Sequence, residues 1–113
     1  VLEILIDNAI KYNNLNGEVR VKLELLKDKP FVMVSIEDTG MGISEEEKDK
    51  IFSKFFRSQR AIKKETMGSG LGLYLTKNII ERHGGRIWFK SEENRGTIFY
   101  FTLPLDPAYI PPQ

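Results

Sequence analysis

The chain contains no cysteine, so a disulfide framework, a zinc knuckle and thiol chemistry are excluded. It has a single His and a single Trp. Charge of one sign is also lacking. Seventeen Lys and Arg stand against sixteen Asp and Glu, a net of +1, so no bulk field points to nucleic acid or to an anionic membrane. No apolar run approaches the ~20 residues needed to span a bilayer, and no signal-peptide pattern is visible. What remains is 113 residues, 41% hydrophobic and 29% charged, with seven Phe and four Tyr. That is enough for one domain with one core.

Residues 1–13 read as a helix, with Leu2, Leu5, Ile6, Ala9 and Ile10 at helical spacing. Val1 opens directly into this pattern with no cap, which predicts a piece of a longer protein. Val19, Val21, Leu23 and Leu25 alternate with charged residues, the period of a half-buried strand. A turn at Lys27 to Pro30 and a second strand from Phe31 to Glu37 complete an antiparallel hairpin. Ser44 and Glu47 form a capping box that predicts a helix carrying Ile51, Phe52, Phe55 and Phe56 to the core. Residues 57–67 read as a polar, basic loop. Leu71 to Arg82 reads as a helix with Leu71, Leu75 and Ile79 on one stripe, stopped by Gly84-Gly85. Arg86–Ser91 and Thr97–Leu103 read as two further strands. Residues 106–113 hold three of the five prolines and read as an extended tail. The order predicts an α+β fold with helices on one face of a sheet.

Three clusters carry chemistry. In Asp38-Thr39-Gly40-Met41-Gly42 an acid leaves a strand end. A carboxylate there accepts a hydrogen bond from an exocyclic amine but cannot donate to a carbonyl, which suits adenine over guanine. Gly40 and Gly42 let backbone approach a ring. In Gly68-Ser69-Gly70-Leu71-Gly72-Leu73 glycines open a helix, where backbone N–H groups and the helix dipole favour phosphate. It is neither a Walker loop nor a dinucleotide fingerprint. Asn8 and Lys11 lie at i and i+3 on the first helix. An amide oxygen suits Mg²⁺, and a lysine offsets phosphate charge. Each cluster alone also reads as an ordinary turn, a mobile glycine loop or a solvated helix end.

Taken together and in order, they resemble the catalytic ATP-binding domain of sensor histidine kinases. Those belong to the ATPase superfamily shared with gyrase, the MutL proteins and heat-shock chaperones. Asn8-Ala9-Ile10-Lys11-Tyr12 is similar to the N box, and Asp38 to Ile43 to the first glycine box. Ile51 to Arg57 is similar to the F box, and Gly68 to Leu73 to the second glycine box. His83-Gly84-Gly85 and Gly96-Thr97-Ile98-Phe99 are similar to the family's ending. The resemblance covers roughly residues 1–104.

The resemblance implies a two-layer α/β sandwich of the Bergerat type. Its mixed, mostly antiparallel sheet would be covered on one face by about three helices. Residues 1–105 would be the ATP-binding catalytic domain, truncated at its N-terminus, and 106–113 the tail. Asn8 would bind Mg²⁺ and Asp38 the adenine amine. Gly40, Gly42, Ile43, Tyr12 and Phe52 would line the nucleotide site. Lys11 and Arg57 would reach phosphate, with Arg60, Lys63 and Lys64 as further lid candidates. Gly68, Ser69, Gly70, Leu71 and Gly72 would hinge the lid and cradle phosphate.

The implied partners are ATP, Mg²⁺, a histidine-bearing dimerisation domain and a downstream response regulator, without nucleic acid or membrane contact by this domain. The implied location is cytoplasmic, whether or not the parent is membrane-anchored. His83 sits at a helix end rather than in the upstream helix where the family carries its phosphoacceptor. The chain is therefore expected to bind ATP as a monomer without phosphorylating itself.

Two positions depart from the family. Ile4 stands where Asn is usual, and Met67 where another Gly is common. A hydrolytic ATPase of the same fold would place Glu at the Ile4 position. A degenerate docking module, or an anti-sigma-factor kinase, is a further alternative.

Overall fold

The structure, a computed structural model, describes residues 1–54 and 72–105. Helix α1 (Leu2–Lys11) leads into a hairpin of β1 (Val19–Leu25) and β2 (Phe31–Asp38). Helix α2 (Gly72–Arg82) leads into a second hairpin of β3 (Arg86–Glu92) and β4 (Gly96–Pro104). The sheet order is β1-β2-β4-β3, so the two hairpins join through their second strands. All three pairings among the described residues are antiparallel, in keeping with the expected mostly antiparallel sheet. The α+β architecture stands, with two helices among the described residues.

Register explains the core. Val21, Ile36, Phe99 and Phe89 form one row across the sheet, and Leu23, Val34, Phe101 and Ile87 form the next. Side chains alternate faces along a strand, so both rows lie on one face. Helix α1 packs over β2, and α2 packs over β3 and β4. Leu5 and Ala9 from α1, and Ile80 from α2, bury against Ile36, Val34, Phe99 and Phe101.

Coverage thins toward β1, which α1 touches less than it touches β2. Val21, Leu23 and Leu25 are 49%, 66% and 70% exposed, so the expected half-burial of this strand is not realised. Their alternation is that of a buried face, but α1 sits mainly over β2 and leaves them open to solvent. Leu2 and Ile10 of α1 are exposed as well. In α2 the buried line is Thr76 and Ile80, with Leu73 partly buried, while Leu75 and Ile79 face outward. The expected stripe through Leu75 and Ile79 is thus rotated, because a buried threonine takes a place that hydropathy assigns to the surface. Helix α2 ends as expected, with Gly84 at φ 82° and the Gly85 N–H reaching the Ile80 carbonyl (2.9 Å).

The helix expected from Ser44 is replaced by turns. Residues 45–52 are turn, and hydrogen bonds run Glu47 to Ser44 (3.0 Å), Lys50 to Glu47 (2.9 Å) and Ser53 to Lys50 (2.9 Å). Three-residue closures tighten single turns rather than propagating an α-helix. Tertiary anchors hold the segment instead. Ile51 is buried, and Phe52 meets Phe89 and Phe99 edge-on with ring centroids at 6.0 and 6.3 Å. Lys48 Nζ donates to the Ser91 carbonyl at 2.8 Å. Phe55, Phe56 and the tail at 106–113 lie outside the described residues.

Candidate functional site

One pleat beyond the row Ile36–Phe99–Phe89, the same sheet face turns polar. Asp38 is paired with Thr97, and Thr97 with Ser91, so three polar residues stand side by side at the strand ends. A polar row continuing an apolar face is costly to bury unless each group is hydrogen-bonded. Here each is. Asp38 Oδ1 accepts the backbone N–H groups of Gly40 (2.9 Å) and Thr97 (3.3 Å). Ser91 Oγ accepts the N–H of Ile43 (2.8 Å), donates to the Gly96 carbonyl (3.0 Å) and meets Thr97 Oγ1 at 2.8 Å.

Both backbone donors fall on one carboxylate oxygen. Asp38 Oδ2 has no partner among the described residues and is not sealed from solvent. It is therefore a fixed acceptor with room for a donor. Partial burial pushes the Asp38 carboxyl above its ordinary pKa. The N–H bonds from Gly40 and Thr97 act the other way, and the neighbouring Glu37 charge adds to the rise. An anion held under strain of desolvation gains from a donor brought to it.

The glycine loop builds the wall. A Cβ on Gly40 would stand 2.3 Å from the Tyr12 carbonyl oxygen, so only glycine lets the loop lie against the end of α1. Gly42 has φ 68°, and a Cβ there would stand 2.2 Å from the Glu92 carbonyl. The loop is stitched on both sides. The Met41 N–H donates to Tyr12 O at 3.2 Å, and the Asn94 N–H donates to Met41 O at 2.7 Å. Asn14 Nδ2 donates to Thr39 O (2.9 Å), and Thr39 Oγ1 donates to Asn13 Oδ1 (3.1 Å).

These bonds bring the N-box end of α1 to Asp38. Tyr12 is half-buried directly after α1, and its N–H closes on the Asn8 carbonyl at 3.1 Å. Asn8 is half-buried one turn earlier, and its amide makes no hydrogen bond among the described residues. Lys11 is exposed in the last turn. Ile43 is half-buried against the core, and Phe52 lies on the aromatic row beside the polar one. Gly72 starts α2, where a Cβ would stand 3.3 Å from Ile4 Cγ2. Ile4 therefore meets the start of α2 with a methyl group rather than with a carboxylate or amide.

Arg57, Arg60, Lys63, Lys64, Met67, Gly68, Ser69, Gly70 and Leu71 lie outside the described residues. Among those that are described, no three His, Asp or Glu side chains converge as a metal cage. His83 caps α2, with Nδ1 2.7 Å from the Ile79 carbonyl. Motif reading overlooked Ser91 as a site residue and named Thr97 only within the closing motif. The signal was there: each is the polar residue two positions from an inward Phe, at Phe89 and Phe99.

Comparison with known proteins shows which family the chain is similar to. The family described as histidine kinase-, DNA gyrase B- and HSP90-like ATPase matches residues 1–107. The chain is 36% identical over 104 residues to sensor histidine kinase WalK of Bacillus subtilis, covering 92% of this chain and 17% of WalK. It is 47% identical over 105 residues to adaptive-response sensory kinase SasA of Crocosphaera subtropica, covering 93% of this chain and 27% of SasA. It thus spans about a quarter or less of these curated relatives. The nucleotide-free catalytic domain of histidine kinase ThkA superposes with a TM-score of 0.77 at 38% identity, covering 96% of this chain and 66% of that one. ThkA in complex with response regulator protein TrrA superposes at 0.68 and 36% identity, covering 92% of this chain and 27% of that one. The chain belongs to the histidine kinase-, DNA gyrase B- and HSP90-like ATPase family and is similar in fold and sequence to the catalytic domain of histidine kinase ThkA.

Proposed function

We propose that this domain binds ATP with Mg²⁺ and presents the γ-phosphoryl group to a histidine on a separate dimerisation domain of its parent, which then passes it to a response regulator in the cytoplasm. The observation that carries this reading is the Asp38 carboxyl, pinned through Oδ1 by two backbone N–H groups with Oδ2 unpartnered among the described residues. That arrangement selects a ligand amine and rejects a carbonyl, which favours adenine. Asn8 fits a hard cation that arrives with phosphate: among the described residues its amide is uncommitted and no carboxylate cage stands by, so the other ligands would be phosphate oxygens and water. Mg²⁺ there would neutralise phosphate charge. Lys11, Arg57, Gly68, Ser69, Gly70, Leu71 and Gly72 are proposed for the phosphates, and Tyr12, Gly40, Gly42, Ile43 and Phe52 for the base and its walls.

Phosphoryl transfer depends on positioning and charge stabilisation more than on covalent help from the protein. A rigid base site supplies positioning. Ile4 supports a kinase over a hydrolase, since its methyl group at Gly72 cannot activate water. The relatives named as sensor kinases, and the ThkA–TrrA complex, support the histidine and response-regulator partners.

Calorimetric titration of this chain with a non-hydrolysable ATP analogue, with and without Mg²⁺, tests the binding. Saturable binding that Mg²⁺ strengthens is expected. A folded chain that binds no adenine nucleotide would refute the proposal. Labelled ATP added to the full-length parent tests the transfer, with label expected on a histidine outside this domain.

A further inference from the structure

We propose that Ser91 is a positioning and specificity residue: it turns the Thr97 hydroxyl away from the base site, so that Thr97 and Asp38 together present only acceptors to the base. This rests on the reading of Asp38 as the base-recognising group.

The argument is proton accounting at one oxygen. A serine hydroxyl has one proton to donate and two lone pairs that accept. Ser91 Oγ has three neighbours. The Gly96 carbonyl, at 3.0 Å, can only accept, so the Ser91 proton goes there. The Ile43 N–H, at 2.8 Å, can only donate, and takes one lone pair. The third neighbour is Thr97 Oγ1 at 2.8 Å. With the Ser91 proton already used, Thr97 must be the donor and fills the second lone pair. All three capacities of Ser91 are occupied.

The consequence falls on Thr97. Its only hydroxyl proton points at Ser91, so any other neighbour of Oγ1 meets lone pairs. Thr97 is the cross-strand partner of Asp38, and its backbone N–H holds Asp38 Oδ1 at 3.3 Å. Asp38 Oδ2 and Thr97 Oγ1 thus both offer lone pairs, from side chains of residues paired across the strands. A base bearing an amine matches them, directly or through one water, and a base bearing a carbonyl or a hydrogen there does not. Ser91 is also anchored through its backbone, since Lys48 Nζ donates to Ser91 O at 2.8 Å and to Glu45 at 2.7 Å. The same residue thus fixes the glycine loop through Ile43 and the hydroxyl direction through Thr97.

The test is calorimetric titration of wild type, Ser91→Ala, Ser91→Thr and Thr97→Val. The probes are non-hydrolysable triphosphates of adenosine and of purine riboside, which carries hydrogen in place of the amine. The readout is the affinity ratio of the two. A purely structural loss weakens both probes alike and leaves the ratio unchanged. Wild type is expected to prefer the amine-bearing probe. Ser91→Ala is expected to lower the ratio about three- to tenfold, the worth of one hydrogen bond. Ser91→Thr, which keeps the hydroxyl, is expected to restore it.

A folded Ser91→Ala chain with the wild-type ratio overturns the proposal. Should Ser91→Ala not fold by circular dichroism, Thr97→Val carries the same expectation, and an unchanged ratio there overturns it equally. A wild type that binds both probes equally would instead refute the underlying role of Asp38, a result separable from the first.

Discussion

Replacing Asp38 by Asn changes a single atom of the side chain and keeps its shape. Oδ1 is held by the N–H groups of Gly40 and Thr97, so the amide of the variant must place its oxygen there and its NH₂ where Oδ2 was. The outward group thereby turns from acceptor to donor and faces the adenine amine, a second donor. A hydrogen bond to a charged group is worth about 1.5–3 kcal/mol, and an unmatched polar group about 1–3 kcal/mol when buried. Discounted for partial exposure, the sum is about 3 kcal/mol, or roughly a hundredfold in affinity. Calorimetric titration with the ATP analogue measures this directly, and the guanine counterpart should gain relative to it. Binding of the adenine analogue within about threefold of wild type would refute the reasoning.

Stability should move the opposite way. Burial raises the Asp38 pKa in the fold, so the folded state holds the proton more tightly than the unfolded chain does. The charged form is therefore a cost to the fold above the folded pKa. That cost disappears as the pH falls through the folded pKa and is absent below the ordinary Asp value of about 3.9. Asp38→Asn should be at least as stable as wild type at neutral pH, and the gap should shrink on acidification in paired urea titrations.

Three further outcomes are expected. Thr76 is fully buried with its hydroxyl unpartnered among the described residues, so Thr76→Val should stabilise by about 1 kcal/mol, seen as a Tm rise of about 4 °C. Gly42→Ala puts a Cβ 2.2 Å from the Glu92 carbonyl at positive φ, and should cost about 2 kcal/mol or more in urea unfolding while weakening nucleotide binding. Ile36→Ala should cost about 2–5 kcal/mol, whereas Leu23→Ala, on the same sheet face but 66% exposed, should cost under about 1 kcal/mol; equal losses would show that β1 is covered in solution.

Local rules in the sequence were sufficient for the strands, both hairpins and the glycine stop of α2. Period-two alternation, turn residues and the absence of a Cβ are properties of a few adjacent residues, and they act before the chain meets itself. The acid at a strand end likewise announced an acceptor.

Tertiary structure decided the rest. It turned the Ser44–Lys54 segment into anchored turns, because Lys48, Ile51 and Phe52 gain more from Ser91 and the aromatic row than from continuing a helical ladder. It left Val21, Leu23 and Leu25 exposed, because burial depends on which element lies overhead and not on a strand's own pattern. It also set Asp38, Thr97 and Ser91 side by side from three strands. Which hydroxyl proton goes where, and hence what the site can recognise, depends on cross-strand register, a relation between residues as far apart as 38 and 97 that no local pattern encodes.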